Sequence, residues 1–193
     1  MTPRAVHRRR RSAFTMIEIL IVVAMVGIMV AIMAPKFRLN ESTEVQLAGM
    51  QIMQDLELAR TRALATRSEV TMVFETGASV GAYSGYLDHD RNGVFAESAD
   101  ERLALRGFGR RELPGRVEYG RGSAPALPTD GNGSAVTFAN ERLLFNARGI
   151  TEPMGTSGVV YLTSTTDPEQ ATAVTVTGSG SVRLWTWRNN TWQ

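Results

Sequence analysis

The sequence predicts an α+β chain, a long amino-terminal helix followed by an antiparallel, strand-rich domain. Three observations predict it. Residues 14–34 are apolar with a single charge, Glu18. Residues 45–63 then carry apolar side chains along one helical face. Beyond Ser68 the hydrophobic pattern changes to period two, in short runs separated by turns. A length of 193 residues suits one domain with an appendage, and 43% hydrophobic residues are enough for a packed core.

The first segment is a basic leader. Residues 1–13 hold five arginines (Arg4, Arg8, Arg9, Arg10, Arg11) and no acid. Without them the chain has 16 basic against 19 acidic residues, so the body does not have the charge of a basic nucleic-acid-binding domain. Cysteine is absent, which excludes disulfides, a cysteine nucleophile, thiolate zinc sites and iron–sulfur clusters. His7 and His89 are the only histidines, so a multi-histidine metal centre is excluded as well.

The next segment is lipid-like. From Phe14 to Ala34 there are 21 residues. As a helix they span about 31 Å, the thickness of a bilayer's hydrocarbon core. No polar face exists to meet water, as a surface helix of a soluble protein would need. Arginines directly before the run place residues 1–13 in the cytoplasm and the remainder outside. The segments are therefore a basic leader (1–13), a transmembrane or packing helix (14–35), an amphipathic continuation (36–67) and a β-rich domain (68–193).

An ordinary signal peptidase would cut after the run, where Ala31-Ile32-Met33-Ala34 matches only loosely. The junction Arg11-Ser12-Ala13-Phe14 places the cut before it. Glu18 then needs explaining, because a carboxylate inside a bilayer costs roughly 2.5–3.5 kcal/mol or more. Two readings stand open. Glu18 lies near the headgroups and stays solvated, or it pairs with a cation. A free amino terminus at Phe14, one helical turn away on its own or a neighbouring chain, is such a cation.

Val45, Ala48, Ile52, Leu56, Ala59 and Ala63 recur at steps of three and four, one face of a helix reaching about Arg67. Glu44, Gln51, Asp55 and Arg62 are among the polar residues assigned to the other faces. Pro35 lacks an N–H and is expected to kink the long helix. The strands expected are Val70 to Phe74, Tyr83–Asp88, Leu103–Gly107, Arg116–Tyr119, Ala135–Phe138, Arg142–Asn146, Gly158–Ser164, Ala171–Thr177 and Ser181–Trp187. Residues 120–134, rich in Gly, Ser and Pro, read as an exposed loop.

Phe14-Thr15-Met16-Ile17-Glu18, continued by Ile19 to Ala24 and later Ala34-Pro35, resembles the type IV prepilin signal. The resemblance implies that a prepilin peptidase cuts between Ala13 and Phe14, that the new amino terminus is N-methylated, and that Glu18 guides assembly into a filament. The family usually has Gly before the cut, and Ala13 stands there.

Further along, Leu58 to Ala65, Leu144-Phe145-Asn146-Ala147-Arg148-Gly149 and Val176 to Arg183 are similar to the GspH/FimT group of minor pseudopilins and minor type IV pilins. That resemblance implies a pilin-like fold and a minor pseudopilin of a type II secretion system. Such a subunit sits in the bacterial inner membrane with its domain in the periplasm, and afterwards in a periplasmic pseudopilus. Its partners are the peptidase, other pseudopilins or pilins, the membrane and secreted cargo. The alternative is a minor type IV pilin in pilus assembly or DNA uptake.

Two surface motifs admit ligands. Asp88, Asp90 and Asn92 before Gly93 resemble the start of a calcium loop. The twelfth position of such a loop is Ala99, so a polar Asn-Gly hairpin is the other reading. Arg183, Trp185, Trp187 and Arg188 combine cations with aromatic rings, as a DNA surface does. The group's Gly-Arg-x-Arg DNA motif is incomplete in Gly180-Ser181-Val182-Arg183, and a partner-facing final strand is the alternative. The arginines from Arg106 to Arg121 are interspersed with acids and read as a solvated face. His89 is the only histidine base outside the leader, and no G-x-S-x-G or phosphate-binding glycine motif occurs, so no enzyme is expected. No cofactor beyond that calcium is expected either.

Overall fold

The computed structural model describes residues 15–33, 41–78, 80–88, 90–95, 109–128, 130 and 133–193. The chain divides into two units, Met1–Leu39 and Asn40–Gln193. In the first, helix α1 covers Met16–Met33. Thr15 starts it, its hydroxyl accepting the N–H of Glu18 at 3.3 Å. Thr15-x-x-Glu18 is the spacing of a helix N-cap with an acid in the first turn, where the helix dipole favours negative charge. Among the described residues no helix is long and apolar enough to cross a membrane. The 18 described residues of α1 extend about 27 Å, just short of the ~20 residues a crossing takes. Pro35 and the expected kink lie outside the described residues.

The second unit is built on α2, Glu41–Thr66. The apolar stripe expected from the sequence is its buried face, with Val45, Ala48, Ile52, Leu56, Ala59 and Ala63 all inaccessible. Asp55 departs from expectation. It lies three residues after Ile52 and one before Leu56, so it sits within the stripe and is buried rather than facing solvent. The helix stops at Arg67, whose φ of 53° is the left-handed conformation that closes helices.

Among the described residues, two five-stranded antiparallel sheets pack against α2. The strands are β1 (Val70–Glu75), β2 (Ala82–Leu87), β3 (Arg111–Glu112), β4 (Val117–Tyr119), β5 (Arg142–Phe145), β6 (Thr151–Glu152), β7 (Gly158–Ser164), β8 (Ala171–Val176), β9 (Val182–Arg188) and β10 (Thr191–Trp192). The first sheet has the order β3-β2-β1-β5-β6 and the second β10-β9-β8-β7-β4. Ile52 and Leu56 meet Met72, Phe74 and Phe145 from one sheet and Val160, Leu162 and Val174 from the other in a single core. The α+β architecture expected from the sequence is therefore the one observed.

Three expectations are corrected. Ala135–Phe138 is not a strand. Val136 makes one isolated bridge to Val160, and the Thr137 hydroxyl accepts the Val159 N–H at 2.7 Å in place of a ladder carbonyl. The chain then turns through Asn140 and Glu141, both at positive φ. Residues 120–134 are irregular but not wholly exposed. Ala124 and Leu127 are buried, because the outer side of β7 and β8 presents Val159, Tyr161 and Ala173, which need cover. Third, Asp55 is a core residue, as described. The two-residue strands β3, β6 and β10 were not expected, and Leu103–Gly107 lies outside the described residues.

Among the described residues, the buried core of the second unit is drawn from Val45 to Val176. Deleting residues 1–39 is accordingly expected to give a folded, soluble, monomeric domain with a cooperative thermal melt by circular dichroism. An aggregated or non-cooperative product would show that the amino-terminal segment belongs to the fold.

Candidate functional site

Ala13 and Phe14, the expected cleavage pair, lie outside the described residues. Glu18 occupies the first turn of α1, its N–H shared between the carbonyl and hydroxyl of Thr15. Around and beyond it the helix is apolar on every side. Met16 is 84% exposed, and the large apolar residues from Ile17 to Val30 are all more than half exposed. An apolar surface of this extent marks a membrane or protein contact.

The structure brings Asp88, Asp90 and Asn92 together at the end of β2. Asp88 is buried, and its two carboxylate oxygens accept the N–H groups of Asn92 (3.1 Å) and Gly93 (2.9 Å). Asp90 accepts from the Asn92 backbone at 3.2 Å and from its amide at 2.9 Å. Arg91 and Gly93 have φ of 60° and 77°. These are side-chain-to-backbone turns, in which N–H donors hold the oxygens that a cation would need. Among the described residues no group of three or more His, Asp or Glu side chains is placed to hold a metal ion. His89 lies outside them. Glu69 borders the same hollow, its carboxyl raised by burial and by the neighbouring charges of Asp88 and Glu152.

Arg183, Trp185 and Trp187 alternate along one face of β9, while Arg188 turns to the other, toward α2. Trp185 donates its indole N–H to Thr175 Oγ1 at 3.0 Å and packs on Leu127, Val159, Tyr161 and Ala173. With the exposed Arg183 it borders a groove of about 690 Å³. Trp187 and Arg188 line a different cavity, of about 450 Å³. Arg188 reaches back to Gln46 Oε1 on α2 at 3.2 Å. The cations are therefore split between two hollows instead of forming a continuous basic and aromatic track. The sequence reading missed Trp192, whose ring lies 5.4 Å from Trp187. The signal was present, because Asn189-Asn190 between two short β-prone pairs is a hairpin turn, and both asparagines take positive φ.

A buried ionisable cluster joins α2 to the first sheet. Asp55 accepts a 2.7 Å hydrogen bond from the Tyr83 hydroxyl, and Arg111 Nε lies 3.1 Å from the same oxygen. Burial raises the Asp55 carboxyl, partly offset by Tyr83 and Arg111. Burial and Asp55 push the Tyr83 hydroxyl up. The trio ties α2 to β2 and β3 and resembles a structural brace.

A helix with an apolar surface and a capped first-turn glutamate, in a chain whose second helix carries two antiparallel sheets, defines a pilin-like subunit. The chain matches the family described as type II transport protein GspH over residues 48–180, and it belongs to that family. A prokaryotic N-terminal methylation motif matches residues 8–34. The comparison with curated proteins gave no match. Among solved structures the chain is similar to the minor pseudopilin EpsH of the Vibrio cholerae type 2 secretion system. That match has 12% identity and a TM-score of 0.52, and covers 74% of this chain and 97% of that one. It is also similar to the type IV minor pilin FimU of Pseudomonas aeruginosa, with 16% identity, a TM-score of 0.50, and 73% and 87% covered. At these identities the likeness is one of fold.

Proposed function

We propose that the chain is a minor pseudopilin of a type II secretion system, stored in the inner membrane and assembled into a periplasmic pseudopilus. The observation that carries this reading is the coincidence in one chain of the GspH match over residues 48–180 and the methylation motif over 8–34. Prepilin peptidase cuts before Phe14, and α1 passes from bilayer to filament core because both are apolar. Glu18 faces the amino terminus of a neighbouring subunit. The β domain looks outward toward neighbours or cargo. The reading requires no catalysis and no cofactor.

The second reading is a minor type IV pilin, favoured by a structural likeness to FimU nearly equal to that to EpsH. Affinity capture of the crosslinked chain from its native membrane distinguishes the two. Secretion-system pseudopilins among the captured subunits support the first reading, and pilus subunits support the second.

Processing is tested separately. Mass spectrometry of the mature protein is expected to find Phe14, carrying an N-methyl group, at the amino terminus. A terminus after Ala34 would mean that an ordinary signal peptidase acts, and the filament reading would fail.

A further inference from the structure

One corner of the β domain carries chemistry that the proposed filament role does not call on. The β9–β10 hairpin turns through Asn189 and Asn190. Beside it run the segments around Ser123 and around Glu169-Gln170. Between them lies a cavity of about 450 Å³ lined by these residues together with Trp187 and Arg188. This volume is in the lower part of the roughly 300–1,000 Å³ range of small-molecule sites.

The three tryptophans are not equivalent. Trp185 and Trp192 spend their indole N–H groups inside the protein, on Thr175 Oγ1 and on the Pro125 carbonyl, each at 3.0 Å. Trp187 makes no such bond among the described residues, and it is the tryptophan that lines this cavity. Its ring is braced from the side by its cross-strand partner. Trp192 packs on it at 5.4 Å and is itself supported by Tyr161 at 6.0 Å. The wall is equally fixed. The Ser123 N–H donates to the Pro168 carbonyl at 2.8 Å, an approach that Gly122 permits. A Cβ at Gly122, where φ is +54°, would lie 2.1 Å from the Pro168 oxygen. A braced aromatic plane whose donor has no partner among the described residues, set in a fixed wall, is preorganised for a ligand.

The lining specifies the ligand's chemistry. The indole needs a flat, weakly polar face above it. Gln170, Asn189, Asn190 and Ser123 offer both donors and acceptors. Glu169 and Arg188 cancel in charge, and the Glu169 carboxylate opposes a phosphate or an acidic peptide. A pyranose ring meets these conditions, with C–H bonds on one face and hydroxyls around its rim. We propose that this cavity binds a neutral saccharide of one or two ring units, with Trp187 as its platform. The proposal does not depend on the filament reading.

The test uses the full-length chain in a detergent without a sugar headgroup. The indole N–H resonance of Trp187, assigned with Trp187→Phe, is followed by NMR during titration with tri-N-acetylchitotriose and, separately, maltotriose. A saturable shift of the Trp187 signal is expected, with the Trp185 signal unmoved. Trp187→Ala is expected to weaken binding about tenfold or more. Asn190→Gly keeps the turn, because its φ of 58° suits glycine, and is expected to weaken binding severalfold. A response to chitotriose alone assigns amino-sugar glycans, and a response to maltotriose alone assigns glucose polymers. The proposal is overturned if neither sugar gives a saturable shift up to about 20 mM. It is also overturned if folded Trp187→Ala or Asn190→Gly binds as wild type does, or if an acidic peptide or single-stranded DNA takes the site more tightly than either sugar.

Discussion

Phe74→Ala is expected to destabilise the β domain by about 3–5 kcal/mol, the range for truncating a fully buried phenylalanine. Phe74 is 1% exposed at the centre of an aromatic group. Its ring stacks on Phe138 at 6.1 Å, meets Tyr119 edge-on at 6.3 Å and lies 6.4 Å from Tyr83. The four rings come from β1, β2, β4 and the turn before β5, so one side chain joins both sheets. Collapse into the cavity is resisted on each side. The Tyr83 hydroxyl is held by Asp55, and that of Tyr119 by the Ala82 carbonyl at 2.9 Å. Phe138 already packs so closely on Gly158 that a Cβ there would fall 2.4 Å from its ring. Urea denaturation of the domain lacking residues 1–39 measures the loss, and Phe74→Leu is expected to cost less because it leaves a smaller void. A loss under about 1.5 kcal/mol for the alanine variant would show that the rings close over the gap and that the sheets are joined elsewhere.

That aromatic group also marks where the sequence could be read and where it could not. Val70, Met72 and Phe74 alternate, and alternation names both the strand and its buried face, so β1 was legible from residue types alone. The same holds for the stripe from Val45 to Ala63 on α2. The segment of Phe138 looks β-prone, yet its hydrogen bonds run partly through the Thr137 hydroxyl, a tertiary choice that no local pattern encodes. By residue type Asp55 belongs in solvent, as carboxylates usually do. Its burial depends on Tyr83 and Arg111, which are 28 and 56 positions away and reach it only once the sheet has formed. Two-residue strands such as β10 are too short to have a period. At the amino terminus, by contrast, the methylation motif is a local pattern. Glu18 and the basic-to-apolar junction are visible without any fold, whereas the cap from Thr15 rests on its hydroxyl meeting the Glu18 N–H in the folded helix.

Glu18→Ala is expected to abolish or severely reduce assembly while leaving α1, membrane insertion and cleavage before Phe14 intact. The helix should persist, because the bond from the Glu18 N–H to the Thr15 hydroxyl belongs to the backbone and survives the substitution. The lost side chain removes only about 0.3–1 kcal/mol of favourable interaction with the helix dipole. Insertion should be unchanged or easier, since a carboxylate in lipid opposes it by roughly 2.5–3.5 kcal/mol. Assembly differs because the amino terminus of Phe14 on a neighbouring subunit is the proposed partner. Removing one member of a buried pair leaves the other charge without compensation, at a cost of about 3–5 kcal/mol per contact. That cost falls on each contact that needs the pair, so incorporation of the variant into a filament should fail rather than merely weaken. Glu18→Asp tests geometry, because it keeps the charge on a shorter stem and should retain partial assembly. Cysteines introduced on α1 of adjacent subunits report assembly by crosslinking, and the chain has no native cysteine to interfere. Crosslinking of Glu18→Ala at the wild-type yield would falsify the pairing, and Glu18 would then be a solvated residue at the membrane surface whose main bond is the one its backbone makes to Thr15.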